Sequence, residues 1–427
     1  MLSTLPSSSS HFSTPSGQGA PKQGQGQGQG AGDGNGFSAD QIAAQRNLAS
    51  TLNVLTSGQH DADPSLITPY SQLPKSISGP TVWDAASYRG QENSHKWVHT
   101  FTPTEIAQLE TAAQLWLQSG RELGEIERST FPLPASLIET LTALRERLIH
   151  GHGFYLFKGL PTERWGNRLS AIAYLGLGSY LGNIVSQNRL GHVLGHVKDL
   201  GDDPTQIDKV RIYRTNARQF FHTDSSGGAV GLLCLHKALE GGESDIASSH
   251  AIWNHLQANR PDVAETLASN IWHFDRKGEV SEGQKGWYTK PIFSLRKGEP
   301  DNRLVLNYDP YYLKSIDRHV EAGLIPPLSD KQKEAMEVLE QTAQLLSLHM
   351  ILDVGDIQFV ADTHVLHART AYKDYPPPAP RRHLYRLWVA VPVADGGWNS
   401  IYPDNEHPRR GGIQVDQQKP CYPLDGE

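Results

Sequence analysis

One stretch near the C-terminus constrains the fold more than any other: Arg381-Arg382-His383-Leu384-Tyr385-Arg386-Leu387-Trp388-Val389-Ala390-Val391. Its aliphatic and aromatic residues predict a strand over His383–Val391. Successive side chains on a strand point to opposite faces, so Arg382, Leu384, Arg386 and Trp388 share one face. Two guanidiniums on one face of a β-rich core are costly to bury unless anions meet them. Arginine keeps its charge and can pair with a carboxylate through two parallel N–H groups. The chain therefore folds either around a pocket that receives small anions or with these arginines in salt bridges at a barrel edge.

Further strands are read from short apolar runs at Gly153–Phe157, Ala229–Leu235 and Asp356–Val360. Thr102-Pro103-Thr104-Glu105 is a capping box that opens a helix ended by Gly120. Leu137, Leu141, Leu144 and Leu148 mark a second helix, and Ser329 with Gln332 opens a third that runs towards Met350. Helices cluster early and around 330–350, and strands fill much of the rest. This is an α+β pattern with a β core, a barrel or a double-sheet roll.

With 427 residues the chain can bury a large core without disulfides. Cys234 and Cys421 are its only cysteines, too few for a disulfide framework, a four-thiolate zinc site or an iron–sulfur cluster. A reducing compartment fits, and a cytoplasmic location is expected. The formal charge of −7 argues against nucleic-acid partners. Beyond the N-terminal tail the longest run free of charge, Leu169–Asn188, is too polar to span a membrane. Residues 1–64 begin with a Gly/Ser/Gln-rich tract and are read as disordered. Residues 65–427 are read as a single domain, with a C-terminal extension from about 396. Gly227-Gly228 is read as permissive backbone suited to a lid.

His222-Thr223-Asp224 places an imidazole and a carboxylate two residues apart, able to meet one metal ion. Such triplets are weak evidence alone. About two His-x-acid triplets are expected by chance from 19 His and 46 acidic residues, and three occur, at His222, His273 and His319. The downstream Leu366-His367-Ala368-Arg369-Thr370 and the paired arginines give the first triplet weight; the other two lack such partners and are read as structural.

Four motifs in order, Phe221-His222-Thr223-Asp224, Gly241-Gly242-Glu243-Ser244, Leu366–Thr370 and Arg382–Trp388, resemble the taurine dioxygenase (TauD/TfdA) family, especially its long fungal-type members. The resemblance runs from about residue 150 to 391. It implies a double-stranded β-helix, or jelly-roll, with helices outside. It implies a non-haem Fe(II), 2-oxoglutarate-dependent dioxygenase that uses O2 and releases succinate and CO2. His222, Asp224 and His367 would hold the iron, with His364 as the rival distal ligand. Arg382 and Ser244 would bind the far carboxylate of 2-oxoglutarate. Arg386 would bind an anionic group of the substrate or pair with a protein acid, and the roles of the two arginines could be exchanged. Asp362 stands where the family often has Asn. Gln187-Asn188 faces substrate or is a buried structural amide, the latter preferred. A small-molecule substrate of specialised metabolism is expected, a carboxylate or amino acid, oxidised at an unactivated C–H bond by hydroxylation, desaturation or ring closure. The alternatives are a catalytically silent metal-binding sensor and a redox-neutral zinc hydrolase.

Overall fold

The computed structural model describes residue 59 and residues 61–402, 411–416 and 418–426. The segment read as disordered lies outside these, apart from 59 and 61–64. Asp61 accepts a hydrogen bond from Thr289 N at 2.7 Å, and Ala62 N donates to Thr289 O at 2.9 Å. Asp61 and Ala62, within the segment read as disordered, are therefore packed.

In chain order the core strands are β1 (Val98–Thr100), β2 (Phe154–Lys158), β3 (Asn183–Val185), β4 (Gly195–Lys198), β5 (Gln219–His222), β6 (Gly228–His236), β7 (Ser244–Ser248), β8 (Trp272–Asp275), β9 (Trp287–Lys290), β10 (Leu348–Met350), β11 (Ile357–Ala361), β12 (Val365–Arg369) and β13 (His383–Ala390). The larger sheet has the order β1-β2-β11-β6-β13, and β3 and β4 both pair with the free edge of β13. The smaller sheet is β10-β7-β12-β5. Pairing is antiparallel throughout these sheets except between β1 and β2. The four strands expected from apolar runs are β2, β6, β11 and β13, each within one residue at either end.

The main helices are α1 (Pro103–Ser119), α2 (Ala135–Ile149), α3 (Thr162–Ser179), α4 (Ser249–Asn259), α5 (Pro261–Ala268) and α6 (Asp330–Leu346). The capping boxes of α1 and α6 form as read, and Gly120 ends α1 in the left-handed conformation, φ 68°. α6 stops at Leu346 instead of reaching Met350. Beyond it Leu348 and Met350 alternate into the core as β10, in register with Ile246 and Ser244.

Leu109, Leu141, Tyr174, Phe359 and Leu387 belong to one cluster that joins α1–α3 to the outer face of the larger sheet. Ile252, Val263 and Leu339 pack with Phe221 and Leu366 on the outer face of the smaller sheet. Phe154, Val230 and Trp388 meet Ile246 and Val365 between the sheets. This is the jelly-roll core with helices outside. Among the described residues no helix is long and apolar enough to cross a membrane.

Two glycines explain how α3 fits. A Cβ at Gly176 would sit 2.2 Å from Phe131 Cε1, and one at Gly178 2.8 Å from Leu387 Cδ1. The small residues that make 169–188 a poor membrane span are what let this helix press on the sheet. Gly176→Ala is expected to cost about 1–3 kcal/mol through overpacking, despite alanine's better helix propensity. Urea unfolding of the variant checks this; unchanged stability would show that Phe131 moves aside freely.

The expected lid at Gly227-Gly228 does not form. Gly228 opens β6, where a Cβ would meet Val391 Cγ2 at 2.6 Å, and Gly412 N donates to Ser225 O alongside. The C-terminal extension is integral to the body: Ile413 and Val415 join the cluster between the sheets, and Tyr385 Oη donates to Leu424 O at 2.8 Å.

Candidate metal and anion site

β5 and β12 are neighbours, and His222 lies directly opposite His367, with ring centroids 4.1 Å apart. Asp224 falls just past the end of β5. There Thr223 N donates to Tyr308 O at 2.6 Å and Asp224 N donates to Asp362 Oδ1 at 2.6 Å. One possible ligand atom from each of His222, Asp224 and His367 lies within 4.8 Å of the others. His222 Nδ1 donates to Phe220 O at 2.8 Å, which leaves the lone pair on Nε2 facing the site. Gln219 Nε2 donates to that nitrogen at 2.9 Å. A bulge brings Gln219 there: β12 pairs residues 367 and 369 with residues 222 and 219 of β5, so the extra residue rotates Gln219 onto the face of His222.

His364 turns away from this cluster and stacks on Trp398, centroids 4.8 Å apart at 15°. His273 and Asp275 serve the β8–β9 hairpin, where Asp275 pairs with Arg318 and, at 3.6 Å, with His319. The structural reading of those two triplets holds.

The carboxylate of Asp224 is tightly held. Trp388 Nε1 donates to Oδ2 at 2.7 Å, and Arg386 Nη1 lies 3.4 Å from both oxygens. Burial opposes ionisation, but Arg386, His367, His222 and the indole outweigh it and hold the carboxyl below its usual range. Arg386 Nε donates to Gln187 Oε1 at 2.7 Å, and the Gln187 amide nitrogen donates to the carbonyls of Val193 and Arg386 at 2.8 Å. Gln187 is thus the buried amide of the preferred reading, and it orients Arg386. Asp362 receives Asp224 N, Ser226 N and Ser226 Oγ; burial, with the Asp224 charge, pushes it up to about 7. Burial, with His222 nearby, brings His367 down to about 3.

Beside the cluster a cavity opens between the sheets. Leu384 and Arg386 line it from β13, and Arg382 from the residue just before that strand, as the alternation requires. Ser244, Gln358, His222 and His367 also line it, and Ser244 Oγ is 2.9 Å from Gln358 Nε2. A third arginine joins them. Arg369 stands two residues after His367 on β12 and so shares its face; that signal was present in the sequence. Its Nη2 donates to Thr215 O and Ala217 O, while its Nε and Nη1 have no hydrogen-bond partner among the described residues. Arg382 Nη2 donates to Gly242 O at 2.9 Å, and its Nη1 likewise has no partner among the described residues. Three guanidiniums line the cavity and none of its lining residues is acidic.

Residues 119–388 match the family described as taurine catabolism dioxygenase TauD, TfdA. The chain belongs to this family. A TauD/TfdA protein of this kind is a non-haem iron, 2-oxoglutarate-dependent dioxygenase, and the residues present fit both groups. Two imidazoles and a carboxylate on one side of a metal leave positions open for other ligands, and the unpaired guanidinium donors suit a dicarboxylate. The taurine hydroxylase-like protein SAT17 of Stachybotrys chartarum is 30% identical over 323 residues, covering 74% of this chain and 80% of that protein. FR-33289 synthase of Streptomyces rubellomurinus is 29% identical over 323 residues, 75% of this chain and 91% of its own. The fold is shared with asparagine oxygenase in complex with Fe(II), hydroxyasparagine and succinate, at TM-score 0.52 and 14% identity over 74% of this chain and 99% of that one. It is shared also with the non-haem iron oxygenase OrfP in complex with Fe and α-ketoglutaric acid, at TM-score 0.52 and 13% identity over 70% and 95% of the two chains.

Proposed function

We propose that this TauD/TfdA dioxygenase oxidises an unactivated C–H bond of a small amino acid or organic acid, with hydroxylation as the simplest outcome. The observation that carries the reading is the acid-free cavity with three arginines beside His222, Asp224 and His367. Arg386 is paired with Asp224, but Arg369 and Arg382 keep donors without a partner among the described residues, and their charge calls for a dianion. His222, Asp224 and His367 would hold Fe(II), which with 2-oxoglutarate and O2 supplies the oxidising power for C–H cleavage, with release of succinate and CO2.

The chain's own residues bind, orient and exclude water. Arg382 Nη1 with Arg369 Nε and Nη1 offer donors to the far carboxylate of 2-oxoglutarate, and Ser244 Oγ, oriented by Gln358, offers another. Val197, Leu232, Leu352 and Leu384 line the same cavity and would cover the methylene chain, keeping water from these charge-assisted bonds. Arg386 and Trp388 hold Asp224 ionised and fixed in direction, so the carboxylate meets the metal without reorganising. A hydrolase or a silent sensor has no use for a cavity of this charge.

Purified protein supplied with Fe(II), ascorbate and 2-oxoglutarate is expected to form succinate, faster when its substrate is present. Protein that binds Fe(II) but shows no affinity for 2-oxoglutarate would contradict the reading.

A further inference from the structure

A second cleft lies across Asp224 from the arginine cavity. Asp224 stands between the two: Arg386, from the first, and Trp388, from the second, both bond its carboxylate. Thr223, Asp224 and Trp388 form one side of the second cleft, and Lys290, Asn307 and Tyr312 are among the residues that line the rest; a second acid, Asp309, lines it too, its carboxylate turned to Tyr311 N and Tyr312 N.

Lys290 is the unexpected member. In the β8–β9 hairpin Tyr288 pairs with Phe274 and Lys290 with Trp272. Trp272, Phe274 and Tyr288 are all buried, so the hairpin's inner face is aromatic except at Lys290, which is itself only 3% exposed. Among the described residues the Lys290 ammonium donates one hydrogen bond, to Asn307 Oδ1 at 3.1 Å, and it lies 5.2 Å and 5.3 Å from the Tyr288 and Phe274 ring centroids. An ammonium has three donors, and a buried one costs several kcal/mol unless it is paired. The acid that acts on it is Asp362, already occupied by Asp224 N and the two Ser226 donors. Burial brings Lys290 down to about 7, a sign of how little the surroundings favour its charge. Aromatic faces and a single amide hold the cation in place without neutralising it.

The first cavity leaves no free cation for a second anion. Arg382 and Arg369 serve the cosubstrate in the function proposed above, and Arg386 is bonded to Gln187 and Asp224. The second cleft, of about 20 Å³, has room for one small polar group. We propose that Lys290, positioned by Asn307, is the docking point for an anionic group of the prime substrate: a carboxylate, sulfonate or phosphonate on a small molecule. The inference rests on the dioxygenase reading, because it takes the arginine cavity as the place of 2-oxoglutarate.

Calorimetric titration under anaerobic conditions, with Fe(II) and 2-oxoglutarate present, tests it without turnover. The probes are the L-amino acids, taurine and 2-aminoethylphosphonate, with amino-acid amides as controls that lack the acid group. At least one acid is expected to bind, its amide roughly 10- to 100-fold more weakly. Lys290→Met should remove that preference, and Lys290→Arg should restore part of it. Circular dichroism melting confirms that each variant is folded; if Lys290→Met does not fold, Lys290→Gln takes its place. A folded Lys290→Met or Lys290→Gln protein that still prefers acid over amide overturns the assignment, and so does binding by none of the acids. Titration of 2-oxoglutarate alone separates the two readings: its failure defeats the dioxygenase function, whereas normal 2-oxoglutarate binding without an acid preference defeats only the role of Lys290.

Discussion

Asp224→Ala is expected to lose both iron and stability. The iron loss follows from removing the one carboxylate of the His222, Asp224, His367 cluster. Changes that merely reorient a ligand cost 10- to 100-fold in metal affinity, so removing one should cost more than about 100-fold. The stability loss has a different origin. Arg386 is buried, and Asp224 is its only acidic partner among the described residues. An arginine left without its carboxylate inside a protein costs on the order of 3–5 kcal/mol. The two effects can be separated. A double variant, Asp224→Ala with Arg386→Leu, should regain much of the stability and none of the iron. Iron content and urea midpoints measure the pair, and stoichiometric iron in Asp224→Ala would remove Asp224 from the metal site.

Arg382→Leu is expected to raise the dissociation constant for 2-oxoglutarate by roughly 10- to 150-fold, the effect of losing a charge-assisted bond of about 1.5–3 kcal/mol. Iron content should stay near normal, because the bonds of Arg382 go to Asp374 and Gly242 and not to the three ligand side chains. Arg369→Leu is expected to act in the same direction, since its unpaired donors line the same cavity. Arg386→Leu should instead weaken iron binding, through the orientation of Asp224. If Arg386→Leu abolished 2-oxoglutarate binding while Arg382→Leu left it intact, the roles of the two arginines would be reversed.

What could be read from the sequence was what depends on short spacing. The alternation Arg382, Leu384, Arg386 lines one cavity as a two-residue period requires, and His222 precedes Asp224 closely enough for both to reach one point. Arg369 was legible by the same rule, two residues beyond His367. The rest depends on contacts between distant segments. Trp388 and Asp224 are 164 residues apart and Gln187 and Arg386 199 apart, and no local pattern announces either bond. Gln219 reaches His222 only because of the bulge in β5, and a regular strand would have pointed it to the other face. Lys290 alternates with Tyr288 in plain view, yet nothing in the sequence says that this hairpin turns its inner face towards Asp224.

The position of β13 has a consequence for how the protein is made. This strand carries Arg382's neighbours and Arg386, and it pairs along its length with β6, which begins at residue 228 while β13 begins at 383. A ribosome adding about 5–20 residues per second needs roughly 10–30 s to cover that interval. Throughout it one edge of a nine-residue strand has no partner, and until β11 is made at residue 357 the other edge has none either. The residues that finish the cluster between the sheets, Ile413 and Val415, are made later still. The nascent protein therefore presents an apolar strand edge until synthesis is nearly complete, a state that invites chaperones and self-association. Slowing translation or raising the temperature of expression should lower soluble yield before either touches the stability of the finished molecule.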